Sequence, residues 1–134
     1  MITDKTTVLT ILGRPATKKN SGRIVRFGNS QRLLPSKAFT NYKSEALAQL
    51  LRYRKLHYSG SLQLTARYYL PDRKSWPDLI GLLQATSDLL QDAGIIDDDK
   101  FIRSYDGSCI AGIDKNNPRV EMEIKELGPW PFGK

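Results

Sequence analysis

Residues 70–102 read LPDRKSWPDLIGLLQATSDLLQDAGIIDDDKFI and predict the central helix of the protein. Pro77 fits the first turn of a helix, because proline lacks the N–H group that this turn leaves unpaired. Gly94 is well placed to end the helix, and Ile95 and Ile96 then return to the core. The predicted helix runs from Pro77 to about Gln91. Its apolar face consists of Leu79, Leu82, Leu83, Thr86, Leu89 and Leu90.

Acidic residues are concentrated around this helix, although the protein as a whole is basic. Seven of its fourteen acidic residues lie within residues 72–99, whereas the formal net charge is +7. Asp78 lies at the helix entrance, and Asp98 and Asp99 follow its exit. A basic protein favours a polyanion such as DNA or RNA as its partner. Carboxylates grouped within such a surface suggest a site for a hard cation.

The composition predicts one globular domain spanning residues 1–134, with 40% hydrophobic and 26% charged residues. Cys109 and His57 are the only residues of their types. An intrachain disulfide and a Cys/His zinc site are therefore excluded. A Cys–His catalytic dyad is disfavoured, because Cys109 lies in a predicted buried strand. No signal peptide or membrane span is visible, so we expect a cytoplasmic protein without a membrane partner.

The remaining pattern predicts strands and one further helix. Ser36 can cap a helix from residue 37 to about residue 55. Strands are predicted at residues 6–12, 23–27, 62–70, 101–113 and 119–125. The order predicts an α/β (α+β) fold, with a small mixed or antiparallel four-stranded sheet covered by two helices. The last two strands are expected to form a hairpin.

A basic loop follows the first strand. Residues 14–37 carry seven Lys or Arg side chains and no acidic one. Such a segment is suited to gripping DNA phosphates, because each Lys or Arg that neutralises a phosphate releases counterions. The alternative is a solvated basic loop without a partner. The candidate DNA-binding residues, including two before the central helix, are Arg14, Lys18, Lys19, Arg23, Arg26, Arg73 and Lys74.

The acidic residues suggest phosphodiester hydrolysis. Mg²⁺ binds carboxylate oxygens, polarises a phosphate and activates water. Asp78 and Asp99 are about twenty residues apart. They can meet only if residues 95–100 fold back along the helix. The acidic residues can also be explained without a metal. Asp78 at the start of a helix complements the helix dipole, and residues 97–99 suit an exposed acidic turn.

At these residues the chain resembles the RusA family of Holliday-junction resolvases, which is common in prophages. The family pattern P-D-x-D-N-L, then D-A-L-x-x-A-G and D-D, is similar to WPDLIGLLQATSDLLQDAGIIDDDKFI here. Asp78 falls on its first aspartate, and Asp98 and Asp99 fall on the closing pair. GRPATKKNSGR resembles the family's N-terminal segment, and Tyr105 and RVEMEI also fit.

The resemblance implies a RusA-like fold and a Mg²⁺-dependent (alternatively Mn²⁺-dependent) endodeoxyribonuclease active in DNA recombination and repair. A homodimer would make paired nicks in a four-way junction. Asp78 and Asp99 would be catalytic, and Asp78, Asp98 and Asp99 would bind the metal. Two motif positions differ, because Ile80 replaces the second aspartate and Gln84 the helix lysine.

These departures leave a second hypothesis open, in which a catalytically weakened or inactive descendant binds DNA junctions. A third hypothesis, from another class, is a Mg²⁺-dependent phosphohydrolase of small phosphate esters. It would need a closed pocket, which the sequence does not specify.

Overall fold

The computed structural model describes residues 6–18, 23–34 and 36–133. Its strands are β1 (Thr6–Leu12), β2 (Arg23–Phe27), β3 (Ser30–Leu34), β4 (Ser61–Leu70), β5 (Ile102–Ser104), β6 (Cys109–Ile113) and β7 (Arg119–Gly128). Its helices are α1 (Lys37–Leu50) and α2 (Leu79–Asp92), with short 3₁₀ turns at Leu51–Tyr53 and Asp99–Phe101. The predicted helices and strands are thus present, with shifted ends.

The two longest strands, β4 and β7, form the centre of a mixed sheet. They pair antiparallel, with Leu64 opposite Ile124, and β1 pairs antiparallel with the other edge of β7. β5 and β6 both pair parallel with β4, one after the other along its length. β2 and β3 form a separate antiparallel hairpin. The predicted class, an α+β fold with a mixed sheet, is confirmed.

Two details of the predicted sheet are wrong. The sheet has five strands rather than four, because a turn at residues 105–108 divides the predicted strand 101–113 into β5 and β6. The predicted hairpin of the last two strands does not form, since β6 pairs with β4 whereas β7 pairs with β1 and β4. β7 already has a strand on each side, so β6 adds to the free edge of β4.

Both helices pack on one face of this sheet. The alternation in β4 buries Leu62, Leu64, Ala66 and Tyr68, and that in β7 buries Val120, Met122 and Ile124. α1 contributes Tyr42, Ala46 and Leu50 to the same core, and α2 contributes Leu82, Leu89 and Leu90. The predicted cap of α1 is confirmed, because the Phe39 backbone N–H donates to Ser36 Oγ at 3.1 Å. This packing holds α2, and with it the residues of the site, against the sheet.

Tyr68 joins the sheet to α2 and is the residue on which we make a stability prediction. Its hydroxyl lies 3.0 Å from the Leu82 carbonyl oxygen and 2.6 Å from Thr86 Oγ1, in a fully buried position. Tyr68→Phe removes only these hydrogen bonds and should lower the free energy of unfolding by about 1–2 kcal/mol. Tyr68→Ala also leaves a cavity and should cost about 3–5 kcal/mol. Urea denaturation measures both, and an unchanged stability for both variants would contradict this packing.

Candidate functional site

The chain after α2 turns back along the helix. Gly94 ends the helix with φ of 76°, a left-handed conformation that glycine adopts without strain. Ile95 and Ile96 are then fully buried, and a parallel bridge pairs Ile96 with Tyr58. The Asp99 backbone N–H donates to Gln91 Oε1 at 3.1 Å. Residues 95–99 therefore fold back along the later turns of α2, and a meeting of Asp99 with Asp78 stays a prediction.

Asp98 and Asp99, which we call the aspartate pair, lie in mutual contact at the end of this fold-back. Burial raises the pKa of Asp99, and its hydrogen bond to Asp98 and the charges of Asp98 and Asp88 raise it further. The Lys100 backbone N–H donates to Asp98 Oδ1 at 3.0 Å and lowers the pKa of Asp98. Two carboxylates this close favour either a shared proton or a bound cation.

One face of α2 lies against the aspartate pair. Gln84, Asp88 and Gln91 follow one another at steps of four and three residues, which places them on the same side of a helix. The Gln84 side-chain amide donates to Asp88 Oδ1 at 3.2 Å and also contributes a hydrogen bond to Asp99. Asp88 is half-buried here. This helix face adds a third carboxylate and two amide groups to the surroundings of the aspartate pair.

Asp78 has a structural role at the start of α2. Its side chain accepts a hydrogen bond from the Gly81 backbone N–H at 3.1 Å, as an N-cap residue does. The helical rise places Gln84 about 9 Å and Asp88 about 15 Å farther along the axis. Within the described ranges, no group of three or more His, Cys, Asp or Glu side chains could hold a metal ion. Binding of one metal by Asp78, Asp98 and Asp99 thus stays a prediction.

The oxygen atoms around the aspartate pair fit Mg²⁺ if water or phosphate completes the coordination shell. Mg²⁺ uses one or two carboxylates and retains several waters, or replaces them with substrate phosphate oxygens. Asp98 and Asp99 supply two carboxylates, and the amide oxygens of Gln84 and Gln91 are nearby. The fit therefore requires water or phosphate in the rest of the coordination shell. Ile80, where the resemblance implies a further aspartate, is 74% exposed and supplies no ligand.

Three of the predicted DNA-binding residues take part in contacts near α2 or in the segment before it. Arg14 Nη2 donates to the Lys74 carbonyl oxygen at 2.7 Å and lies 3.5 Å from Asp72 Oδ1. Lys18 Nζ lies 3.8 Å from Asp88 Oδ2, so a cation stands beside the acidic helix face. Arg14, Lys18 and Lys74 are all exposed. Of the three, Lys18 places positive charge next to a carboxylate of the site, that of Asp88.

For the other four predicted DNA-binding residues, no contact is described. Arg26 lies exposed on β2, and Arg73 is exposed beside Lys74. The side chain of Arg23 and the whole of Lys19 lie outside the described part of the chain.

Sequence reasoning missed a cavity of about 500 Å³ beside α1. Tyr42, a buried residue of α1, is among the residues that line this cavity. Burial raises the pKa of Tyr42, so its hydroxyl stays protonated and can donate a hydrogen bond. The sequence offers one indication of a special environment at this position. Tyr42 lies among the apolar residues of α1, and a buried tyrosine hydroxyl usually has a hydrogen-bond partner.

Comparisons with known proteins leave the family open. No protein-family model matches the chain, and no curated protein matches it significantly. Neither α1 nor α2 is long and apolar enough to cross a membrane, and the same holds for the other described helical turns.

Proposed function

We propose that the protein is a Mg²⁺-dependent, structure-selective endodeoxyribonuclease that nicks four-way DNA junctions. The observation that carries the proposal is the aspartate pair, which lies against the face of α2 that carries Gln84, Asp88 and Gln91. Lys18 Nζ lies 3.8 Å from Asp88 Oδ2, on the helix face that lies against the pair, and a carboxylate pair with a cation in its surroundings suits a reaction in which metal and phosphate meet. The resemblance to junction resolvases supplies the substrate class. No membrane partner is part of this proposal, and the cytoplasm is the proposed location.

In this proposal the aspartate pair binds the metal and the basic residues bind the DNA. Asp98 and Asp99 would hold Mg²⁺, or Mn²⁺ in its place. When bound, the cation polarises the scissile phosphate and lowers the pKa of a bound water. Arg14, Lys18 and Lys74 would contact the DNA backbone, which fixes the position of the strand without reading its sequence. Two such sites related by the two-fold axis of a homodimer would account for paired nicks in a symmetric junction.

Substitution of Asp78 with asparagine tests the proposal, because asparagine preserves the helix cap. Asn and Asp are about equally good N-cap residues, so the fold and junction binding should be retained. If Asp78 acts in catalysis, nicking falls by at least about 10- to 100-fold, the loss typical when an outer-sphere partner of a metal is removed. If its role is only to cap α2, nicking stays at the wild-type rate. A gel-shift assay and a nicking assay on the same labelled junction measure both properties.

A non-catalytic junction-binding protein is the second candidate function. It is favoured by Ile80 and Gln84, which supply neither a carboxylate nor a cation at the helix face. Tight junction binding with no cleavage in Mg²⁺ or Mn²⁺ would establish it in place of the nuclease.

A charge substitution outside the acidic site tests the DNA-binding surface. Arg73→Gln should weaken binding to the same extent for junctions of different sequence, because a phosphate contact carries no base information. The slope of log K against log salt concentration should become less steep by about 0.9. Lys55→Gln is the matched control, since Lys55 lies beyond the opposite end of α1 and should leave the slope unchanged. A loss confined to one junction sequence would contradict the role of Arg73.

A further inference from the structure

The chain after β7 crosses the end of β4 and packs on the turn before β5. Gly128 ends β7 with φ of 94°, and its carbonyl oxygen lies against Gly60, where a Cβ atom would come within 2.6 Å of it. The prolines on either side of Trp130 lack backbone N–H groups, so this segment cannot continue as a strand inside the sheet. Trp130 contacts Phe101, whose 3₁₀ turn leads directly into β5. The C-terminal segment thus brings its aromatic residues to the β5 side of the sheet.

Three aromatic rings, those of Phe101, Trp130 and Phe132, form what we call the aromatic cluster. The centroid of the Trp130 ring lies 5.3 Å from that of Phe101 and 5.0 Å from that of Phe132, and both pairs are T-shaped, with planes at 77°. Phe101 and Trp130 are half-buried, and packing of the C-terminal segment accounts for them. Phe132 is 63% exposed, so packing does not account for it. Most of its ring surface remains available for a further contact.

Two cations lie on the aromatic cluster. Arg103 Cζ lies 4.8 Å from the centroid of the Phe132 ring, and Lys100 Nζ lies 5.3 Å from that of the Phe101 ring. Arg103 is exposed and forms no salt bridge within the described part of the chain. The backbone N–H of Lys100 and its charge both lower the pKa of Asp98. Lys100 therefore connects the aromatic cluster to the aspartate pair.

Exposed rings beside cations suit a nucleic-acid strand whose bases are unpaired. Bases stack on aromatic side chains, and Lys or Arg beside the rings neutralises the phosphates. A base within a duplex is stacked between its neighbours, so its face cannot be reached by a side chain. An apolar protein partner fits this surface less well, since it would bury the charges of Lys100 and Arg103 away from water.

We propose that the aromatic cluster, together with Lys100 and Arg103, binds unpaired bases of a DNA strand next to the aspartate pair. The Phe132 ring would stack on a base, and Arg103 would contact an adjacent phosphate. The inference deepens the proposed function and rests on it, because it names unpaired nucleotides as the part of a branched substrate that is held beside the aspartate pair. Binding itself needs neither a metal nor a cut strand.

Titration of the full chain against a fluorescently labelled single-stranded DNA of about ten nucleotides, in EDTA, tests this proposal. An oligonucleotide of equal length built from abasic units carries the same phosphates without bases. Phe132→Ala should weaken binding of the ordinary oligonucleotide about 5- to 150-fold, the effect of losing one stacked base, and should leave binding of the abasic one unchanged. Phe132→Leu keeps an apolar side chain without the ring and should weaken binding nearly as much. Both variants should fold, because Phe132 is exposed.

Arg103→Gln tests the phosphate contact separately. It should weaken binding of the ordinary and the abasic oligonucleotide alike, and should make the slope of log K against log salt concentration less steep by about 0.7. An unchanged slope would contradict the role of Arg103.

Val8→Ala is the matched control for Phe132→Ala. Val8 is 64% exposed, but it lies on β1, at the opposite edge of the sheet from β5. Its substitution should leave the affinity for single-stranded DNA at the wild-type value.

Three results would overturn the proposal. The wild type binds the ordinary and the abasic oligonucleotide equally well, or Phe132→Ala or Phe132→Leu binds as the wild type does. In the third, Phe132→Ala changes the mass of the protein in light scattering without changing its DNA affinity, which would assign the aromatic cluster to a contact between protein chains. Because every titration contains EDTA, the wild type can pass this test without nicking any junction. Failure of the nuclease proposal is therefore separable from failure of this one.

Discussion

Substitution of Asp99 with asparagine should reduce Mg²⁺-dependent nicking of a four-way junction by more than about 100-fold, with junction affinity retained. Asp99 shares the aspartate pair with Asp98, and its charge is opposed by Asp98 and by Asp88. Asparagine removes this repulsion, so the variant should be at least as stable as the wild type. A loss of nicking would therefore report on the chemistry of the site and not on folding.

Asp97→Asn is the matched control for this experiment. Asp97 belongs to the same acidic run, but its carboxylate lies 2.8 Å from His57 Nε2 and so is engaged outside the aspartate pair. Its substitution should leave nicking within about twofold of the wild type, since a solvent-exposed pair of this kind contributes little. Equal losses from Asp97→Asn and Asp99→Asn would show that total charge matters rather than the pair itself. Full nicking by Asp99→Asn would contradict the proposed role of Asp99.

Substitution of Ile80 with aspartate should have the opposite effect and increase nicking. Ile80 precedes Gln84 by four residues, so a carboxylate at position 80 would lie on the helix face that contacts Asp99. Its side chain is 74% exposed, and its replacement should cost little stability. An additional carboxylate should lower the Mg²⁺ concentration for half-maximal nicking by about 10-fold, because metal affinity follows the number of charged ligands.

Ile80→Asn separates the charge of the new side chain from its shape. It has nearly the same size as the aspartate and no charge, so its Mg²⁺ requirement should stay close to that of the wild type. A Mg²⁺ titration of nicking rate compares the three proteins. An unchanged titration for Ile80→Asp would show that position 80 does not face the metal. Loss of all nicking in Ile80→Asp would indicate that an exposed apolar residue is needed there.

Local patterns predicted most of the secondary structure, because they reflect interactions within a few residues. The alternation of Leu62, Leu64 and Ala66 marks a half-buried strand in any sequence. Asp78 was expected at the start of α2 and is its N-cap residue. Strand pairing was harder to predict, since it depends on distant partners. The 114–118 turn suggested a hairpin, yet β6 pairs with β4, whose free edge no local signal in residues 109–125 reveals.

The site was only partly predictable for the same reason. The sequence identified Asp98 and Asp99 as neighbours of a helix, and the fold-back that brings them to α2 is present. It could not identify Gln84 or Gln91 as partners of Asp99, because that contact depends on how residues 95–99 pack. Thr17 and Tyr42 lie far apart in sequence, and only the fold brings both to the lining of the cavity beside α1. That their hydroxyls are buried without a hydrogen-bond partner can be seen only in the structure.

The most direct test of the central claim is nicking of a synthetic four-way junction by the wild-type protein, with linear duplex of the same sequence as control. Both DNAs are incubated with Mg²⁺ and with EDTA, and each labelled strand is followed on a denaturing gel. Our account predicts paired nicks in the junction with Mg²⁺ and intact strands in the other three reactions. Intact junction strands in Mg²⁺ and in Mn²⁺, despite tight binding, would contradict the nuclease and favour the junction-binding protein.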